Sequence, residues 1–261
     1  MLRVGVQVSF ATLSLGGSIA TLTLDAPAGG VGRAEMDSLL QACARIEGAP
    51  ERIDAVVVTS TRDDWATGWS VEALAERSEP SGMLAPIGAA CDALAALPQP
   101  TVAAIGGSAL SIGLELALAC DIRVGSTAAR FGMPETARGL VPMGGGTQRL
   151  PRAVGRAHGL LLLLTGEDID AAEALRIGLV SQLVAPGAER DAAASIARTI
   201  GARGPVATRF AKEAVRRGVE LTLQEGLRAE LDMTVILQTT ADRAEGVRAF
   251  IERREPRFTG Q

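Results

Sequence analysis

The chain contains no tyrosine, five phenylalanines and two tryptophans, so aromatic residues make up only 3% of its 261 positions. A core with so few rings must close on small and branched aliphatic residues, which fits a hydrophobic content of 47% and 30 glycines. Histidine occurs once, as His158, and no GxSxG elbow accompanies it, which leaves a Ser-His hydrolase without its parts. HExxH is absent too, and so is a P-loop, so no metal site is expected. Lysine also occurs once, as Lys212; with a net charge of −4 and no basic run, nothing points to nucleic acid. Cys43, Cys91 and Cys120 are too widely spaced for a metal-ligand pattern and sit in apolar contexts, which reads as buried free thiols in a reducing compartment. No apolar run reaches the ~18–20 residues of a membrane span, and the N-terminus lacks the layout of a signal peptide. The expected location is the cytoplasm.

What is present centres on residues 103–122, AAIGGSALSIGLELALACDI. An apolar strand over residues 101–105 breaks at Gly106-Gly107-Ser108 and runs into a helix that is apolar on every side, as a buried helix is. Glu115 is the one charge between Thr101 and Cys120. An isolated carboxylate in such a helix costs several kcal/mol unless something compensates it. The bland account is a capping acid or a buried ion pair. Ser111 is the natural N-cap, but Glu115 lies four residues on and misses the capping-box position by one. The alternative is a functional group.

Alternation over residues 4–24, broken at Leu15-Gly16-Gly17-Ser18, predicts a strand hairpin. Helical spacing predicts helices over 34–46 and 87–97, the latter stopped by Pro98 and Pro100. DAVVVT at 54–59 reads as a buried strand, and RDDWATGWS at 62–70 as a loop. Short strands are expected over 121–125, 129–132 and 179–184, a helix after Gly146 and another over 169–177. Beyond residue 188 the pattern is helical throughout, at 188–200, 205–216, 221–237 and 243–253. The layout is an α/β core over 1–185 followed by a helical region over 186–261.

Three glycine-bearing turns remain, Thr67-Gly68-Trp69, Ser111-Ile112-Gly113 and Met143-Gly144-Gly145-Gly146, with two acids near them in sequence, Glu115 and Glu135. Free amides at a helix start and in a glycine loop can converge on a developing oxyanion. Two carboxyl groups can exchange protons with water or a carbon acid. That combination suits chemistry beside a thioester carbonyl, where an enolate must be held.

At these residues the chain resembles the enoyl-CoA hydratase/isomerase (crotonase) superfamily. The resemblance runs through IATLTLDAP (19–27), WATGWS (65–70), PTVAAIGGSALSIGLELALACDIRV (100–124), ARFGMPE (129–135) and GLVPMGGGTQRLPRAVG (139–155), then LTGEDIDAAEALRIGLVSQLV (164–184) and the tail AEGVRAFIERREPRF (244–258). It implies a spiral of ββα units with a helical C-terminal region that trimerises, giving a homotrimer or homohexamer. It further implies an acyl-CoA substrate, CoA being part of the substrate and no separate cofactor being needed. By motif position the thioester oxygen would lie between the backbone N–H groups of Trp69 and Ile112. Glu115 would activate the water that adds at Cβ, and Glu135 would deliver the proton to Cα. Ala66, Gly68, Gly113 and Met143 would line the substrate.

Several residues depart from the family pattern. The loop that usually reads Ala-Gly-x-Asp is Thr67-Gly68-Trp69-Ser70, and the Trp69 indole is expected either in the core or, by preference, as a wall of the acyl pocket. Ser111 and Ile112 stand where glycine is usual; Ile112 is tolerated only at negative φ. The usual CoA-loop residues give way to Ala26 and Gly30-Val31-Gly32, leaving Arg253 or Arg254 as possible cations from a neighbouring subunit, against a solvated helix face. The segment 72–86 is a further candidate for the acyl tunnel. The preferred function is hydration of an enoyl-CoA or the reverse dehydration. The alternatives are isomerisation or another acyl-CoA reaction on the same fold, or a catalytically impaired acyl-CoA-binding homologue.

Overall fold

A hairpin closed at Gly16–Gly17 opens the computed structural model, which describes residues 10–70 and 80–261. Strands β1 (Ala11–Gly16) and β2 (Ile19–Leu24) pair antiparallel as the alternation predicts; the expected start of that hairpin, residues 4–9, lies outside the described residues. Helix α1 (Arg33–Glu47) follows, with Met36, Leu39, Cys43 and Ile46 on its buried face. Then come β3 (Ala55–Ser60), α2 (Pro80–Ala96), β4 (Thr101–Ile105), β5 (Ser108–Leu110) and α3 (Ile112–Ala119).

The main sheet continues through β6 (Ile122–Ser126), while β7 (Arg130–Gly132) joins β5 in a smaller sheet. Beyond a 3-10 turn at Thr136–Arg138 lie α4 (Gly146–Val154), α5 (Arg156–Thr165), β8 (Asp168–Asp170), α6 (Ala171–Arg176) and β9 (Gln182–Val184). Four helices end the chain: α7 (Glu189–Gly201), α8 (Pro205–Gly218), α9 (Leu223–Leu237) and α10 (Ala241–Glu252).

The large sheet has the order β1-β2-β3-β4-β6-β9, parallel everywhere except at the opening hairpin. Its central strands β3 and β4 are buried at every residue, as parallel strands covered on both faces must be. Successive residues alternate between the two faces. Val56, Val58, Ala103 and Ile105 point into the main core, whereas Ala55, Val57, Val102 and Ala104 meet Ala193 and Ala197 of α7. Small residues on both sides bring that helix close, which is how a chain poor in rings closes its interior.

Several elements differ from expectation: α2 begins at Pro80 rather than at 87, and α5 is a second helix after α4 where one was expected. The three residues after Gly107 form β5 rather than a direct entry to the helix, because they pair in parallel with β7. The helix expected over 169–177 yields its first turn to β8, which pairs antiparallel with β7; Asp170 then caps α6 by accepting the Glu173 N–H at 2.8 Å. The segment 72–86, expected to line the acyl tunnel, falls largely outside the described residues. Lys212 on α8 reaches back to the sheet, 2.8 Å from Asp121 Oδ2, and donates to the Gln99 carbonyl. The sole lysine thus fastens the helical region to the core.

Candidate active site

Five hydrogen bonds lace the loop at 63–69 onto β4 and β5. Gly107 N–H donates to Asp63 O, Ser108 N–H to Asp64 Oδ1, Trp65 N–H to Ser108 O, Leu110 N–H to Ala66 O, and the Trp65 indole N–H to Ala104 O. On its other side the loop pairs with Val31, which donates to Gly68 O and accepts from Ser70 N–H. Gly113, in the first turn of α3, packs directly on the Ala66 carbonyl. These ties set the Trp69 turn beside the start of α3. The Trp69 and Ile112 N–H groups form no hydrogen bond among the described residues.

The Trp69 side chain is core, 7% exposed, and its indole N–H has no partner. The indole packs in the hydrophobic core, and Ala66 and Gly68 line a neighbouring cavity of about 320 Å³. The bound on Ile112 is met in a particular way. The left-handed φ falls on Ser111, at 55° with ψ −124°, which leaves Ile112 in a regular helix. Ser111 occupies the N-cap position without capping through its side chain, contrary to expectation, because that backbone geometry turns it out of reach.

Glu115 is fully buried. Its Oε1 accepts the N–H groups of Gly144 and Gly146, at 2.7 and 2.8 Å. These flank Gly145, the N-cap of α4, so Glu115 is a capping acid after all, but of a different helix. Gly144 has no room for a side chain: a Cβ would stand 2.8 Å from Cys91 Sγ and 3.0 Å from Glu115 Oε2. Two amide donors and the Arg149 charge favour the carboxylate, yet burial outweighs them. With a contribution from Glu135, it pushes the Glu115 pKa up from 4.5 to about 7.

Glu135 arrives by a separate route. Ser111 N–H donates to Gly132 O at 2.9 Å, extending the β5–β7 pairing to the residue before α3. Three residues on, Glu135 is 2% exposed and neither carboxylate oxygen meets a donor among the described residues; Glu115 Oε2 has none there either. The two acids are close enough for the charge of Glu135 to act on Glu115.

The structure thus brings together Glu115, Glu135, Ala66, Gly68, Gly113 and the two candidate amides, with Met143 half-buried next to the Gly144 donor. It does not bring in His158, half-exposed on α5, and Arg254 is held within its own chain by Glu245 and Glu252. The residues that reading the sequence missed are Cys91, Asp92 and Arg149; the turn at Gly144 and Gly146 was singled out, but as a cradle for an oxyanion and not as the donor to Glu115. A signal for that donation was present: a glycine run that opens a helix is an anion cradle.

The sequence profile of the enoyl-CoA hydratase/isomerase family matches residues 15–261. The chain belongs to that family. A probable enoyl-CoA hydratase of Mycobacterium bovis is 39% identical over 224 residues, 86% of this chain and 87% of that one. A methylglutaconyl-CoA hydratase from rat mitochondria is 44% identical over 188 residues, 70% and 60% of the two chains. Among solved structures, an enoyl-CoA hydratase from Bacillus anthracis superposes with a TM-score of 0.92 at 31% identity, covering 97% of this chain and all of that one. DspI of Pseudomonas aeruginosa gives 0.91 at 35%, covering 96% and 97%. The α/β fold with its helical C-terminal region is therefore the crotonase fold.

Proposed function

We propose that the protein is an enoyl-CoA hydratase that adds water across the 2,3 double bond of an enoyl-CoA thioester, or removes it. The observation that carries this reading is the pair of buried acids, with three carboxylate oxygens that no protein donor occupies, set beside a helix start and a loop with free amides. The thioester oxygen is held by the Trp69 and Ile112 N–H groups, which stabilise the enolate. Glu115 takes a proton from water as its oxygen bonds to Cβ; the π electrons move onto the thioester, and Glu135 protonates Cα. A base with a pKa of about 7 is suited to neutral solution. The reaction balances with water and the thioester alone, so CoA enters only as part of the substrate.

The cavity next to Ala66 and Gly68, walled by Pro27, Val31 and Arg62 among others, is the proposed entry for the CoA arm. We assign the site to residues 1–185 and subunit contacts to 186–261, where Leu223, Leu227, Leu231, Val235, Phe250 and Ile251 are exposed, as in a homotrimer or a hexamer built from it. The buried free thiols agree with a cytoplasmic setting.

The test is turnover of crotonyl-CoA and longer or branched enoyl-CoAs in ¹⁸O-labelled water. Hydration places the label at Cβ, and Glu135→Gln lowers kcat by roughly 10²–10⁴-fold. Absence of turnover across the whole panel overturns the assignment.

A further inference from the structure

We propose that Arg149, steered by Asp92, is a positioning residue for Glu115: by holding the Gly144 carbonyl it fixes the glycine turn whose Gly144 and Gly146 N–H groups donate to the Glu115 carboxylate. This rests on Glu115 being the base that activates water. Gly144 is gripped on both sides, through the peptide it shares with Met143 and the one it shares with Gly145. Its N–H donates to Glu115 Oε1 at 2.7 Å, and its carbonyl accepts from Arg149 Nη1 at 2.6 Å. Arg149 Nη2 is 2.5 Å from Asp92 Oδ1, so the guanidinium spans from α2 to the glycine turn. The Arg149 backbone N–H also returns to Gly145 O at 2.8 Å, closing the first turn of α4 around the same loop.

The neighbouring residue on α2 completes the clamp. Cys91 Sγ lies against Gly144, where a Cβ would meet it at 2.8 Å, and burial keeps its thiol protonated, well above its ordinary value. Among the described residues, the charges that act on Glu115 are Glu135 from the turn after β7 and Arg149 from α4, with the Cys91 thiol of α2 beside it and Asp92 acting on that thiol. Only Arg149 among them is a cation, and it favours the carboxylate form. Side-chain bonds alone would leave a triple-glycine turn free to move; a fork holding a carbonyl and a carboxylate together removes that freedom. Orientation of the base, rather than substrate binding, is what the arrangement serves.

Arg149→Met, Arg149→Lys and Asp92→Asn test this in the full-length enzyme. Arg149→Met is expected to lower kcat by roughly tenfold to a hundredfold, with KM unchanged and the acid limb of the pH–rate profile moved to higher pH. Arg149→Lys keeps the charge and recovers part of both. Asp92→Asn is the decisive variant, because its two possible effects differ in sign. Removing a negative charge acts directly to lower the Glu115 pKa, whereas releasing Arg149 raises it. The proposal expects the acid limb to move up. A limb that stays or moves down overturns it.

Asp92 is exposed, so this variant folds even if Arg149→Met does not. Titration of Glu115 by ¹³C NMR in wild type and Asp92→Asn separates failure of this proposal from failure of the hydratase assignment. If no substrate turns over, the assignment falls, while the direction of the Glu115 shift still decides the role of Arg149.

Discussion

A methyl group on Gly113 would stand 2.1 Å from the carbonyl oxygen of Ala66. No side chain fits there, and an alanine forces the start of α3 away from the loop that carries Trp69. The expected outcome for Gly113→Ala is a fall in kcat of about 10²-fold, with a loss of about 1–3 kcal/mol in stability. Steady-state kinetics and urea unfolding read the two effects. Activity equal to wild type would show that the two amides do not act as one unit.

Ser111 holds a left-handed φ that a side chain tolerates poorly, a cost on the order of 1–3 kcal/mol. Ser111→Gly relieves it, less the greater freedom of glycine in the unfolded chain, for a net gain of about 1 kcal/mol and a melting point higher by about 2–4 °C. The Ile112 N–H keeps its place, so kcat is expected to stay unchanged. A lower melting point would mean that the serine side chain stabilises the turn.

The raised pKa of Glu115 has a consequence for stability. Between its ordinary 4.5 and about 7, the folded protein keeps a proton that the unfolded chain releases, so stability declines as pH rises through that window. Glu115→Gln has no such dependence. The stability difference in favour of the variant is expected to grow across the window and level off near pH 7, reaching about 3 kcal/mol. A constant difference between pH 5 and pH 8 in denaturant titrations would contradict it.

Arg123 is a half-buried cation that forms no ion pair with a carboxylate among the described residues. Its Nε donates to Leu179 O at 2.6 Å and its Nη1 to Cys120 O at 2.7 Å, capping the C-terminal end of the helix that carries Glu115. Burial lowers its pKa. Arg123→Met leaves those carbonyls unpaired, and a destabilisation of about 2–4 kcal/mol is expected, with KM unaltered. Thermal melting together with kinetics checks it.

Much of this was legible beforehand. Glu115 stands out because nothing else charged interrupts its apolar helix, and Glu135 became its partner through a likeness to family motifs. The strands β3 and β4 and the closing helices follow from apolar runs and periodicity. What stayed hidden depends on long-range pairing. Strand β5 is three residues long and exists because β7 lies beside it. The bond from Gly144 to Glu115 spans 29 positions, and no local pattern announces it. The reach of Asp92 to Arg149 crosses 57.

The absence of tyrosine returns here with a practical meaning. Trp65 and Trp69 are the only two tryptophans, and both sit in the short loop that faces the start of α3. Ultraviolet emission from the whole molecule therefore originates within a few residues of the proposed oxyanion site. An unlabelled sample titrated with a thioester in a fluorimeter would report on that loop and on almost nothing else.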